Sequence, residues 1–326
     1  MTRSNFILMS GSSFPADAKA VLYDATDPDK QIVGKSVEGV PAEVWSFTEH
    51  TNSANSVAVD TQGNVYSGSD DRTVRKINSS GVQVWSFTGH KSGVFNIAVD
   101  TQGNVYSGSM DNTVRKINSS GSQVWSFTGH TDWVRGVAVD LQGNVYSASD
   151  DKTVRKINSN GQQVWSFAGH TSNVKTVAVD LQGNVYSGSM DKTVRKINSS
   201  GGQVWSSIGH TNYVECVAVD LQGNVYSGSD DKTVRKINSS GNQVWSFTGH
   251  TAVLTAVAVD LQGNVYSGSF DKTARKINSS GQQVWSFTGH TKTVYGVAVD
   301  LQGNVYSGSD DETVRKIWDG YIIHTA

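Results

Sequence analysis

The chain repeats itself every forty residues, and that period constrains its fold more than any other property. The histidines fall at His50, His90, His130, His170, His210, His250 and His290, and the tryptophans at Trp45, Trp85, Trp125, Trp165, Trp205, Trp245 and Trp285. The phase never slips through seven units. Because each unit buries its apolar face on its neighbours, one repeat domain accommodates a length of 326 residues. The 33 glycines and three prolines suit many short strands joined by tight turns.

Turn residues divide each unit into four strands. In one unit Val134 to Val139 runs into D-L-Q-G-N, Val145 to Ser149 into D-D-K, Thr153 to Ile157 into N-S-N-G, and Val164 to Phe167 into A-G-H. We call these strands a, b, c and d. The expected fold is all-β, a seven-bladed propeller of four-stranded antiparallel blades. An eight-bladed ring with a degenerate N-terminal blade is the alternative.

The G-H, S-x-S-x-D and T-V-R elements lie at the spacings of WD-repeat proteins through about 280 residues, and the chain resembles that family. The resemblance implies a buried hydrogen-bond network in each blade, made of a histidine, a strand b serine, a bc-turn aspartate and a strand c tryptophan. Its members here would be His90, Ser107 and Asp111, then His130, Ser147 and Asp151, then His170, Ser187 and Asp191. The tryptophan is absent, since Ile157-Asn158 stands where W-D is usual. The network is therefore expected to stop at three members, with the serine lacking its indole donor. Trp165 on strand d would recover the aromatic bulk. Lys76, Lys116, Lys156 and their equivalents occupy a strand c position that is usually apolar in the family. Pairing of c with d puts Lys76 on the face of Trp85, so each lysine is expected either to lie over the tryptophan of its own blade or to snorkel to solvent.

Repetition argues against catalysis, because an active site needs one place where distinct groups converge. The turns lack the ligand spacing of a calcium loop. No cofactor and no metal are expected. V-D-x-Q-G-N-V-Y and the V-W pair also resemble other propeller families, including quinoprotein dehydrogenases, but no cluster of cofactor ligands is visible. A net charge of −2 disfavours nucleic acid as a partner. The single cysteine, Cys216, excludes an intrachain disulfide and reads as strand packing. The apolar run Phe6 to Met9 is far short of a secretory segment, and no run approaches membrane-spanning length, so a soluble cytosolic protein is expected.

The repeats differ at a few places only. The third and fifth residues after each histidine are Ser53 and Asn55, Gly93 and Phe95, Trp133 and Arg135, Asn173 and Lys175, Tyr213 and Glu215, Val253 and Thr255, Thr293 and Tyr295. The residue before the bc-turn aspartate runs Asp70, Met110, Asp150, Met190, Asp230, Phe270, Asp310. The family resemblance implies that these positions share the top face, where ligands are met. Drift at exposed positions would also have scrambled the ab turn, yet that turn stays L-Q-G-N from the third unit onward. The expected function is a non-catalytic scaffold binding protein or glycan through the top face, with a virion or surface assembly as a specific version. A propeller enzyme or a lectin with a small ligand in the central channel is the rival.

Residues 44–317 would form the propeller, with Val44 to Phe47 supplying the last strand of the seventh blade. Residues 1–43 contain the strand-like runs Phe6 to Met9, Ala20 to Tyr23 and Gln31 to Val33. Residues 318–326 end in Tyr321-Ile322-Ile323 after Asp319-Gly320. Either the two ends pair into an accessory module, or Tyr321 to Thr325 is strand d of the seventh repeat and residues 1–43 make an eighth blade.

Overall fold

In a computed structural model, residues 41–318 are described in full, and of the flanking segments only the strand backbones at 21–24, 27–33, 35–37 and 322–324. Among the described residues there are seven four-stranded antiparallel sheets, one per repeat. The chain is a seven-bladed propeller, and no described helix is long and apolar enough to cross a membrane.

Blade three shows the pattern, with strands a Val134–Val139, b Val145–Ser149, c Val154–Ile157 and d Gln163–Phe167 in spatial order. Three turns set its register. In the ab turn Asp140 Oδ1 accepts from the backbone N–H groups of Gln142 and Asn144, and Gly143 takes φ 77°. Asn158 Oδ1 does the same in the cd turn for Asn160 and Gln162. In the bc turn Lys152 holds φ 68°, the left-handed conformation unusual for a side chain of this kind. Strand c pairs Val154, Arg155 and Lys156 with Phe167, Ser166 and Trp165, and a bulge then skips Val164. That bulge twists an outer edge whose valine is 55% exposed, which discourages edge-to-edge pairing.

No blade buries its own face. Tyr106, Val114 and Phe127 of blade two pack on Val134, Val137, Val145 and Ile157 of blade three. Ile157, at the usual tryptophan position, therefore belongs to the core between blades. The ring closes the same way, with Phe47, Tyr306 and Val314 packed on Ala54, Val57, Val65 and Ile77. Strand Ala42–Phe47 pairs antiparallel with Val314–Trp318 and completes the seventh blade from the N-terminal side of the repeats. Strand d of the seventh repeat is thus not drawn from the C-terminal residues, and no eighth blade forms among the described residues.

The flanking segments form a separate compact unit. Within it, Val21–Asp24 pairs with Asp27–Val33, and Lys35–Val37 pairs with Ile322–His324. The run Phe6 to Met9, the Asp319-Gly320 turn and Tyr321 lie outside the described residues.

Candidate functional site

The repeated polar residues converge inside each blade. His130 is 4% exposed, with Nδ1 2.7 Å from Asp151 Oδ2 and Nε2 2.7 Å from Ser147 Oγ. His90 with Asp111 and Ser107, and His170 with Asp191 and Ser187, repeat the arrangement. A carboxylate can only accept, so Nδ1 carries the proton and Nε2 accepts from the serine hydroxyl. Burial pushes the Asp151 pKa up, but hydrogen bonds from His130 and Thr153 outweigh it and hold the group well below the usual carboxylate range. Burial lowers the pKa of His130 and of His90, against the upward pull of Asp151 and Asp111. These contacts match those of a nucleophilic triad, but Ser147 is fully buried in strand b and its oxygen meets no solvent.

The network does not stop at three members. Asp151 also accepts from the N–H and hydroxyl of Thr153 and from the N–H of Thr131. Arg155 donates from Nε to Thr153 Oγ1 and from Nη1 to Gln163 on strand d, at 3.1 and 2.8 Å. Threonine and arginine of the T-V-R element thus carry it outward to strand d. The signal was present in D-x-T-x-R and in the strand d glutamine, which repeat with the same period, Glu43 standing at the glutamine position of the closing strand.

Six of the strand d tryptophans serve the neighbouring blade. Trp125 Nε1 donates to Ser159 O in the cd turn of the next blade at 3.0 Å, and Trp45, Trp85, Trp165, Trp205 and Trp245 repeat the bond. The expectation for the lysines needs correction. Lys116 pairs with Trp125 in register, but its ammonium sits over the Tyr106 ring, 5.4 Å from the centroid. Tyr106 and Trp125 both stand opposite Lys116 in register, and the tilted packing of the two rings at 6.1 Å leaves the tyrosine face to the ammonium.

The variable residues gather at the bc-turn end of the ring. In every blade the residue before the bc-turn aspartate donates its backbone N–H to the carbonyl of the third residue after the histidine, as Asp150 does to Trp133 and Met190 to Asn173. Strands a of neighbouring blades come close, since a Cβ on Gly136 would lie 3.1 Å from the Thr176 backbone. The fifth residues therefore meet around the axis. Asn55 donates to Asp70 and to the Val94 carbonyl, and Thr255 donates to the Val294 carbonyl. Lys175 pairs with Glu215 at 3.3 Å, and Phe270 meets Tyr295 edge-on at 5.9 Å. Burial raises the pKa of Glu215, helped by Asp230, and that of Asp70, helped by Asp310. Met110 lies beside Gly93 and Asp70, and Ser53 donates to Asp310.

One cluster stands out in its chemistry. Arg135 stacks over Phe95 at 4.2 Å and over Trp133 at 4.7 Å, and reaches Asp150 Oδ2 from Nε at 2.9 Å and from Nη2 at 2.8 Å. Trp133 is 40% exposed. Asp150 Oδ1 is buried and has no hydrogen-bond partner among the described residues. Among those residues no group of three or more acidic, histidine or cysteine side chains is placed to hold a metal.

The family model described as outer membrane protein assembly factor BamB matches residues 38–131, 71–189 and 190–317. No curated protein matches the chain. The match supports a β-propeller without singling out the WD-repeat type that the motifs resemble. Because the matched segments span almost the whole ring, the chain belongs to the family described as outer membrane protein assembly factor BamB.

Proposed function

We propose that this propeller is a non-catalytic scaffold that binds a protein partner at the bc-turn face, as part of a larger assembly. The observation that carries the reading is the Phe95, Trp133, Arg135 and Asp150 cluster. It joins aromatic and arginine side chains, the types enriched in binding hot spots, and its guanidinium is held by two rings and a carboxylate before any partner arrives. The description of the family, an assembly factor, agrees with an interaction role. We also read the buried histidine, serine and aspartate chain as a WD-repeat-like framework in which threonine and arginine replace tryptophan. Full burial of the serines supports a framework role over a catalytic one.

A pull-down with the wild-type chain beside a Trp133→Ala, Tyr213→Ala double variant tests the assignment. A partner retained by the wild type and lost from the variant is the expected result. Undiminished retention by the variant sinks the bc-turn face as the binding surface.

A further inference from the structure

The opposite end of the ring carries grooves between neighbouring blades. One, of about 250 Å³, is lined by Asp100, Gln102, Tyr106 and Lys116 of blade two and by Leu141, Gln142, Gly143 and Ser159 of blade three. Another, of about 260 Å³, lies one repeat earlier, with Asp60, Gln62 and Lys76 facing Gln102, Gly103 and Ser119. The second is the first shifted by forty residues, with Thr101 in place of Leu141, and the aspartate, glutamine, tyrosine and lysine recur in every repeat.

The charges in such a groove are unequal in their availability. Asp100 is saturated, accepting from the N–H groups of Gln102 and Asn104, from Asn104 Nδ2 and from the Tyr106 hydroxyl. Lys76 and Lys116 form no ion pair among the described residues, and each ammonium has a tyrosine face as its charge contact. A lysine keeps three N–H donors in that position. The grooves of Lys76 and Lys116 thus each offer a cation without an ion pair among the described residues, exposed glutamine amides and a serine, and that of Lys116 adds the apolar surface of Leu141, 68% exposed.

Local structure accounts for the aspartate, glycine, asparagine and tyrosine of the ab turn, but not for Gln142 or Leu141, which are exposed. The glutamine is constant in all seven ab turns and the leucine from the third onward, beside the varied residues of the other face, as a repeated binding site requires. A folded protein partner would present a different surface to each blade. Recurring grooves suit a ligand that itself repeats.

We infer that inter-blade grooves of the ab-turn face such as those of Lys76 and Lys116 bind a carboxylate-bearing polysaccharide, one acidic sugar per groove, with the strand c lysine on the carboxylate and the glutamines on the hydroxyls. Each site is weak, and linkage of the sugars along one polymer multiplies the affinity. The interaction is ionic and falls as salt rises. It is independent of partner binding at the bc-turn face.

The test is calorimetric titration of the full chain with oligogalacturonate, and with a dextran oligomer of equal length as the neutral control. The uronate oligomer is expected to bind at least tenfold more tightly than dextran. Replacing Lys76, Lys116, Lys156, Lys196, Lys236 and Lys316 by glutamine should weaken it at least tenfold, while the Trp133→Ala, Tyr213→Ala variant binds as the wild type does. Should the lysine variant fail to fold, Gln102→Glu with Gln142→Glu places carboxylates on exposed positions of three successive grooves and should remove about half of the sites. Absence of binding at millimolar oligogalacturonate, equal binding of dextran, undiminished binding by the folded lysine variant or the glutamate variant, or loss of binding in the Trp133 and Tyr213 variant would each overturn the inference.

Discussion

Trp125 of blade two donates its indole N–H to the carbonyl of Ser159 in blade three, so the outermost strand of one blade is fastened to a turn of the next. Trp125→Phe keeps most of the ring surface and removes only that donor. A loss of about 1 kcal/mol is expected. Urea unfolding checks it, as a lower midpoint at unchanged slope. An unshifted midpoint would show that the bond contributes nothing net.

Gly161 and Gly303 separate two reasons for glycine. Both hold positive φ, 85° and 82°, but a Cβ on Gly161 would meet Trp125 at 3.0 Å, whereas one on Gly303 would meet nothing within 4 Å among the described residues. Both alanine variants carry the cost of a left-handed side chain, about 1 kcal/mol. Gly161→Ala adds displacement of the indole. It should therefore be the less stable of the two by thermal unfolding, and equal losses would mean that the tryptophan yields freely.

Stability should fall with acid in two stages. His90 and His130 have lowered pKa values, so the neutral form that folding favours contributes fully above the ordinary value of about 6.5 and is lost as pH drops below it. The bc-turn aspartates, Asp71, Asp111, Asp151, Asp191, Asp231, Asp271 and Asp311, are all held far below their ordinary value of 3.8. Their contribution is complete above that value and disappears as pH falls beneath it. Asp70, Asp230 and Glu215, raised by burial, act in the opposite sense, favouring the fold as they protonate. They are outnumbered. Denaturant midpoints measured from pH 8 to pH 2 should decline gently below 6.5 and steeply below 4, and a flat profile below 4 would contradict the buried network.

Arg135 and Asp150 form a partly buried pair in which the carboxylate has one oxygen with no partner among the described residues. Arg135→Ala removes both bonds to Asp150 and should cost about 1–3 kcal/mol. Asp150→Asn together with Arg135→Ala should recover part of that loss, because the unpaired buried charge is gone. Arg135→Lys should not restore the wild type, since an ammonium lacks the paired N–H groups that meet at Asp150 Oδ2 and the flat face stacked on Phe95. A double variant no more stable than Arg135→Ala would argue that Asp150 is solvated without its partner.

The ring was legible in the forty-residue period, and the closing strand in the presence of a V-W-S-F segment ahead of the first strand a. His130, Ser147 and Asp151 were legible as partners through the resemblance to WD-repeat proteins, whose network positions they match. Thr153 and Arg155 were not, although both stand in the same repeat. Their bonds run through side chains on a single strand edge, which a strand assignment does not resolve. Lys116 shows the same limit. Register places it opposite both Tyr106 and Trp125, and the packing of one ring on the other decides which face it meets.

What the amino-acid sequence by itself determined was the unit: four short strands, three turns with their side-chain caps, and seven copies in one phase. These are local properties, set by hydrogen bonds over two to four residues and by alternation along each strand. Only the tertiary structure decided what faces what. Each blade buries its apolar face on the next, so the sites of interest lie between repeats: Arg135 on Phe95 at one end, Lys116 beside Gln142 at the other. A contact between two copies of one motif depends on the angle at which the blades meet, and no single copy contains that angle.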